Sequence, residues 1–388
     1  MQQSIDKILT THTGSLPRPN ALLDLLKAKD DGQAIDAAKF ETTAMEATKD
    51  IVRKQIESGI DIVNDGEMSK IGYSTYVKDR LVGFNGVGSF PPTSDFNDFP
   101  EFVERFVSEA QAVVTLKTPA CDGPVAWKDL EAAEKDIKRF KAALVGQRPR
   151  EAFMTAASPG VIALFLENKH YASYEKYLEA LADVMKKEYQ AVHNAGFILQ
   201  LDCPDLAVGR HTRFAQNTTA EFVKVVELHV AAINRAIANI PPDRIRLHLC
   251  WGNYEGPHHH DVPLRDIIEP VFAANVGAVS FEAANPRHEH EWTIFEKIKL
   301  PPGKFLIPGV IDSCTNYIEH PDLVAQRIVR FTKLVGRENV IAGTDCGFAT
   351  FAAYTPIVPA IAWAKLLALS EGAGIATREL WGRRGAAS

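Results

Sequence analysis

Eight short β-rich runs alternate with longer amphipathic helical stretches, and that alternation leaves few architectures open. The runs are "KILTTHTGS" (7–15), "IDIVNDGE" (60–67), "EAFMTAASP" (151–159), "FILQLDCP" (197–204), "RIRLHLCWG" (244–252), "GAVSFEAAN" (277–285), "KFLIPGVID" (304–312) and "NVIAGTDCG" (339–347). Apolar residues at helical spacing mark helices over 39–59, 174–196, 221–237 and 321–336, three of them closed by Gly59, Gly196 and Gly336. Strands that each hand over to a helix predict a parallel sheet, and eight of them predict a (β/α)8 TIM barrel. The chain of 388 residues is long enough for one such barrel as a single domain over 1–388. The excess falls at about 75–150, predicted to be an insertion or lid between strands two and three. There "GFNGVGSFPPTSDFNDFP" (83–100) is rich in Gly, Pro, Phe and Asp. The final "GRRGAAS" reads as a loose tail.

Composition narrows the partners. A formal charge of -6 argues against nucleic acid and anionic membrane surfaces, and no run of about 18 apolar residues predicts a membrane span. Five widely spaced cysteines in a core-forming chain point to a reducing cytoplasm rather than a disulfide scaffold. The expected partners are small molecules, and a homo-oligomer is compatible with this composition.

The chemistry of a barrel gathers at the C-terminal ends of its strands. Seven of the eight ends carry polar residues: His12 and Ser15, Asp65 and Glu67, Asp202 and Cys203, His248 and Cys250, Glu282 and Asn285, Asp312, and Asp345 and Cys346. Among them His248, Cys250, Glu282 and Cys346 offer the nitrogen, sulfur and oxygen donors of a tetrahedral zinc site, from strands five, six and eight. A packed histidine with two buried thiols is the bland alternative. A structural zinc would draw on a tight local knuckle such as C-x2-C, which is absent. Two thiolates and a carboxylate leave Zn²⁺ in a shell of net charge about −1. Such a shell is a poor carbonyl electrophile, and suits holding a substrate thiol as an electron-rich thiolate.

Several separated motifs, from "THTGSLPRP" (11–19) through "NDGEMSK", "LDCPDLA", "HLC" and "SFEAAN" to "GTDCGFAT" (343–350), recur in the order found in one family. The chain resembles the C-terminal catalytic barrel of cobalamin-independent methionine synthases, in particular the short single-barrel homologues that include epoxyalkane:coenzyme M transferase. The resemblance implies zinc bound by His248, Cys250, Glu282 and Cys346. It also implies that Ser15, Glu67 and Asp202 hold the amino-acid end of homocysteine, and His12 and Asn285 complete the expected substrate-binding set. The implied activity is transfer of a methyl or other alkyl group to a zinc-activated thiol. The alternatives are addition of a thiol such as coenzyme M to an epoxide and, from another class, a zinc hydrolase.

Departures from the family pattern concern the alkyl donor. The full-length synthases carry a second, N-terminal barrel, and the resemblance here spans one. Their pterin-stacking tryptophan after strand three has no counterpart in "AASPGVIALF" (156–165). In place of their general-acid histidine after strand seven stands "PGVIDSCTN" (308–316). Asp312 and, in the "PHHHD" loop (257–261), His258 and His259 are therefore the candidate acids. Arg210, His211, Arg213, Arg287 and His288 are candidates for an acidic substrate group or for plain salt bridges. A placed acid contributes about 10²–10⁴-fold in rate. Methyltetrahydrofolate, even as the polyglutamate, is thus expected to be a far poorer donor than a small activated methyl compound. Rates measured side by side at saturating thiol decide this, and efficient folate-dependent methionine formation would refute it.

Overall fold

The computed structural model describes residues 1–89, 93–110, 118–352 and 356–382. Eight parallel strands lie within the expected runs: β1 Leu9–Thr10, β2 Ile62–Val63, β3 Glu151–Ala157, β4 Ile198–Asp202, β5 Ile245–His248, β6 Ala278–Phe281, β7 Phe305–Pro308 and β8 Ile341–Ala342. Six of them, β2 through β7 in chain order, form one curled parallel sheet, and β1 pairs with β8. Parallel bridges Leu306–Val340 and Gly309–Gly343 join β7 to β8. At the other edge Asp61 N donates to Thr10 O at 3.2 Å. The result is a TIM-barrel-like α/β fold.

The predicted helices are present at Ala37–Glu57, Tyr174–Asn194, Thr219–Ala236 and Pro321–Val335. Their starts are capped by side chains: Asp36 accepts from Ala38 N and Lys39 N, Ser173 from Lys176 N, and Thr218 forms a reciprocal capping box with Glu221. The strands are shorter than their runs. Past the strand ends, buried carboxylates replace the ladder as acceptors. Asp345 takes Ala283 N and Ala284 N, Glu282 takes Trp251 N, and Glu319 takes Asp312 N. The polar residues expected on strand ends therefore sit mostly in loops just beyond them.

Inside the curl, Leu9, Ile62, Phe153, Ile198, Ala278, Phe305, Ile307 and Ile341 form an apolar plug. Above it lies the buried guanidinium of Arg246, 3.4 Å over the Phe153 ring. It donates to Gln200 Oε1, Thr11 Oγ1 and His12 O at 2.7, 2.9 and 2.7 Å.

The segment between β2 and β3 holds two small antiparallel pairs, Leu81–Val82 with Ala126–Trp127 and Gly86–Val87 with Pro119–Ala120. It also holds helices Asp95–Asp98 and Pro100–Ala110. Helix Glu131–Ala143, at its end, packs on Ala37–Glu57 and completes the outer helical layer. Buried Asp136 ties this segment down through Ser69, Arg80 and Arg139, and Arg80 reaches Glu188 at 3.1 Å. Most of the expected tail, 383–388, lies outside the described residues. Among the described residues no helix is long and apolar enough to cross a membrane.

The last helix, Pro359–Trp381, is fastened by a buried ion pair, Lys365 Nζ to Glu319 Oε2 at 2.9 Å. Removing one partner strands the other charge in the interior, which costs about 3–5 kcal/mol, while replacing both by apolar groups costs less. Lys365→Ala should therefore destabilise strongly in urea unfolding. Lys365→Met combined with Glu319→Gln, which removes both charges and keeps an acceptor for Asp312 N, should recover much of that loss. Equal destabilisation of the two variants would contradict this account of the pair.

Candidate active site

A cavity of about 460 Å³ opens at the C-terminal ends of the strands. Its floor holds His248, Cys250 and Cys346, whose ligand atoms lie within 4.8 Å of one another. The two sulfurs are 3.7 Å apart and both cysteines are free thiols. Two thiolates at about 2.3 Å from a tetrahedral zinc stand about 3.8 Å apart, so the spacing suits a shared metal. His248 Nδ1 faces Ser280 Oγ at 3.1 Å, while Nε2 is buried with no hydrogen-bond partner among the described residues. An imidazole tethered at one nitrogen and orphaned at the other is the arrangement of a metal ligand. Burial, with Arg246 nearby, pulls the His248 pKa down to about 3, keeping the ring neutral. The bond it donates to Cys346, together with burial, pushes the Cys250 thiol well up. At Cys346 the bond to Cys250 acts downward, but burial and Glu282 outweigh it. Both thiols therefore stay protonated until a cation displaces the protons.

Glu282 stands outside this three-atom cluster. Its oxygens accept from Trp251 N at 2.8 Å and Asn285 Nδ2 at 2.7 Å. Burial, and then the Cys250 charge, push its carboxyl well above the ordinary range.

The same cavity is lined by Ser15, Glu67 and Asp202, the last the cross-strand neighbour of His248. Glu67 sits at φ +56°, a left-handed conformation that costs a non-glycine residue energy. Arg18 holds it there by donating twice to its backbone oxygen, at 3.2 and 2.8 Å. Its Oε1 accepts from Thr155 Oγ1 at 2.8 Å, and Oε2 is buried without a partner among the described residues. Asp202 Oδ1 accepts from Gln200 Nε2 at 2.7 Å. Burial, reinforced by Glu67, pushes the Asp202 carboxyl well up. Two such carboxylates relieve each other best by sharing a cation.

The sequence of residues 8–362 matches the family described as "Cobalamin-independent synthase, Catalytic domain". The chain belongs to this family. It is 25% identical over 374 residues to the methionine synthase of Thermococcus kodakarensis, covering 96% of this chain and 94% of that one. The methionine synthase of Pyrococcus furiosus is 25% identical over 342 residues, 87% of this chain and 85% of the other. In fold the chain resembles the B12-independent methionine synthase of Shewanella sp. W3-18-1 bound to selenomethionine, with a TM-score of 0.74, 22% identity and coverage of 97% and 99%.

In this member of the cobalamin-independent synthase family, five expected catalytic or substrate-binding groups do not line the cavity. Asp312 accepts from Cys314 N, Thr315 N and Thr315 Oγ1, so its carboxylate closes its own turn. His258 is held between Asp261 Oδ2 at 3.0 Å and Tyr254 O at 2.9 Å. His259 faces Asp95 and Asp98 at 3.0 and 2.9 Å. Asn285 spends its side chain on Glu282, Asp345 and the backbone of Arg287 and His288. It donates to Glu282 Oε2 and is not among the residues that line the cavity. Nor does His12 line the cavity, since its Nε2 pairs with Gln55 Oε1 at 2.8 Å and its ring packs edge-on to Phe153. Of the candidate anion binders, Arg213 donates to Leu164 O, and His288 stacks on Trp251 between Asp261 and Glu291. Sequence reasoning missed the walls: Tyr73, Phe96, Phe106, Phe165, Asn253, Tyr254 and Phe351. Phe96 and Phe106 lie in the Phe-rich segment after β2, whose composition was the available signal.

His12 carries a pH prediction. Burial lowers its pKa to about 4, against 6.5 when exposed. Below pH 6.5 the unfolded chain takes up a proton that the folded one refuses. Stability contributed by the neutral ring is therefore complete above pH 6.5 and lost as pH falls toward 4, on the order of 3 kcal/mol. The difference in unfolding free energy between wild type and His12→Gln should narrow by that order across this range, and a pH-independent difference would count against it.

Proposed function

We propose that this protein is a closed (β/α)8 barrel with an insertion between β2 and β3, and that it transfers a methyl or similar alkyl group to a zinc-activated thiol, with homocysteine as the best-fitting acceptor. The observation that carries this reading is one cavity with two sets of groups. A neutral imidazole with an orphaned nitrogen and two thiols at zinc spacing line it together with a buried carboxylate pair. The relatives named methionine synthase agree with it.

His248, Cys250 and Cys346 would hold the zinc, and Glu282, tethered by Asn285 beside Cys250, is the exchangeable fourth ligand. When bound, zinc supplies a Lewis acid that lets the acceptor sulfur lose its proton near neutral pH. The chain's own groups do the positioning. Glu67 Oε2 and Asp202 accept from the acceptor's ammonium, and Ser15 stands beside them for its carboxylate. The aromatic wall of Tyr73, Phe96, Phe165 and Phe351 excludes water from the sulfur's path and leaves room for the alkyl donor. Transfer forms one carbon–sulfur bond and breaks the donor's bond to its leaving group, which then needs a proton. Tyr73 lines this wall, and burial, with Cys250 and Cys346 adding, pushes its phenol well up, so it stays protonated and able to donate.

The carboxylate pair favours an ammonium-bearing thiol over the sulfonate of coenzyme M, which it would repel. This ranks the epoxide reaction second. A zinc hydrolase ranks third, because hydrolytic sites more often use histidine and carboxylate than two thiolates.

X-ray absorption on purified protein should show zinc with two sulfur ligands, lost in Cys250→Ser and Cys346→Ser. Added homocysteine should raise the sulfur count to three. Each of Glu67→Gln and Asp202→Asn should weaken homocysteine binding by about 10–100-fold, the scale of a hydrogen bond to a charged group, with the zinc retained. Unchanged sulfur scattering with every thiol of a panel, or unchanged homocysteine affinity in both carboxylate variants, would overturn the reading.

A further inference from the structure

Outside the cavity, on the other side of Tyr254, three wholly buried side chains from three separate segments converge. Asp95 comes from the segment between β2 and β3, His211 from the loop after β4, and Asp261 from the loop after β5. Their ligand atoms lie within 4.8 Å of one another. His211 Nδ1 is 2.9 Å from Asp261 Oδ1, and His211 Nε2 is 4.0 Å from Asp95 Oδ2. Yet neither His211 nitrogen nor Asp261 Oδ1 makes a hydrogen bond among the described residues. A nitrogen and an oxygen at 2.9 Å that are misaligned for a hydrogen bond point past each other, as two donors aimed at a common third atom do. Leaving them unsatisfied and dry costs about 1–3 kcal/mol per group. His259 adds a fourth donor of the same kind. Its Nδ1 is 3.0 Å from Asp95 Oδ1, again without a hydrogen bond, and the ring is a third exposed.

We propose that Asp95, His211 and Asp261, with His259 on the solvent side, form a second cation site, distinct from the cysteine site, for a divalent transition metal such as zinc, manganese or cobalt. Donors at about 2.0–2.2 Å around a tetrahedral ion stand about 3.3 Å apart, and one nitrogen of His211 with one oxygen each of Asp95 and Asp261, all within 4.8 Å of one another, can close to that spacing. Imidazole donors favour a borderline transition metal over magnesium or calcium. The surroundings supply the supporting shell such a site needs. Asp261 Oδ2 is held by His258 at 3.0 Å and His288 at 2.9 Å, and Asp95 Oδ1 by His260 N at 2.9 Å. The ion would fasten the segment after β2 to the loops after β4 and β5. Phe96, the neighbour of Asp95, lines the cavity, so the ion would also set the position of that wall.

The test counts metal and identifies its ligands in the full-length chain. Purified wild type equilibrated with zinc and then desalted should hold two equivalents. In the Cys250→Ser, Cys346→Ser double variant one should remain, with nitrogen and oxygen scattering only. Asp95→Asn and His211→Asn, each near-isosteric, should abolish that remaining equivalent in protein whose circular dichroism is unchanged. In an otherwise wild-type background the same two variants should keep the sulfur-bound zinc and become more open to proteolysis near residue 95. A single equivalent in wild type, absent from the Cys250→Ser, Cys346→Ser double variant, would overturn the second site, as would full retention of the ion in both variants.

Discussion

The buried Arg246 guanidinium is the interaction on which this arrangement most depends. It caps the apolar plug through Phe153 and binds three other points, Gln200 on β4, Thr11 and the carbonyl of His12 just beyond β1. Gln200 in turn donates to Thr13 O and to Asp202 Oδ1. One cation thus joins the strands whose ends carry the carboxylate pocket and the donors. It also sets the electrostatics above it, since its charge helps keep His248 neutral. Burying a charge in this place is costly unless every donor finds an acceptor, and the acceptors are supplied by chain segments far apart in sequence.

The same logic runs through the loops above the strands. Ladder hydrogen bonds stop early, and carboxylates of Glu282, Asp345 and Glu319 take the freed backbone N–H groups. These loops are therefore fixed by buried acids instead of by sheet. Burial, with Asp312 adding and the backbone bonds opposing, raises the Asp345 pKa to about 7. The mouth of the fold concentrates buried acidic groups and polar atoms without partners. It suits cations and cationic substrates, and both the proposed zinc at Cys250 and Cys346 and the proposed second ion follow from that one property.

Much of this was legible in the chain alone. The alternation of runs placed all eight strands, because β-rich segments between capped amphipathic helices can bury both faces only in a parallel sheet. The spacing in "HLC" (248–250) and the lone "TDCG" (344–347) named three donors that the fold brings within 4.8 Å. Other residues resisted that reading. His258 and His259 look like acids in a loop at the site, yet they face Asp261, Asp95 and Asp98, because the sign of a loop's turn decides which way its side chains look. His258 itself takes a positive φ of 52°. Asp312 looks like a free acid and is consumed by its own turn.

Sequence by itself determined the class of fold and the chemistry of the donors, since periodicity and residue type are local properties written in order along the chain. Only the tertiary structure decided which groups share a cavity, which are satisfied and which are left bare. Glu67 Oε2, His248 Nε2 and both nitrogens of His211 are orphaned by the positions of distant neighbours. Whether a buried polar atom has a partner depends on directions and distances between segments remote in sequence, and no local pattern encodes those.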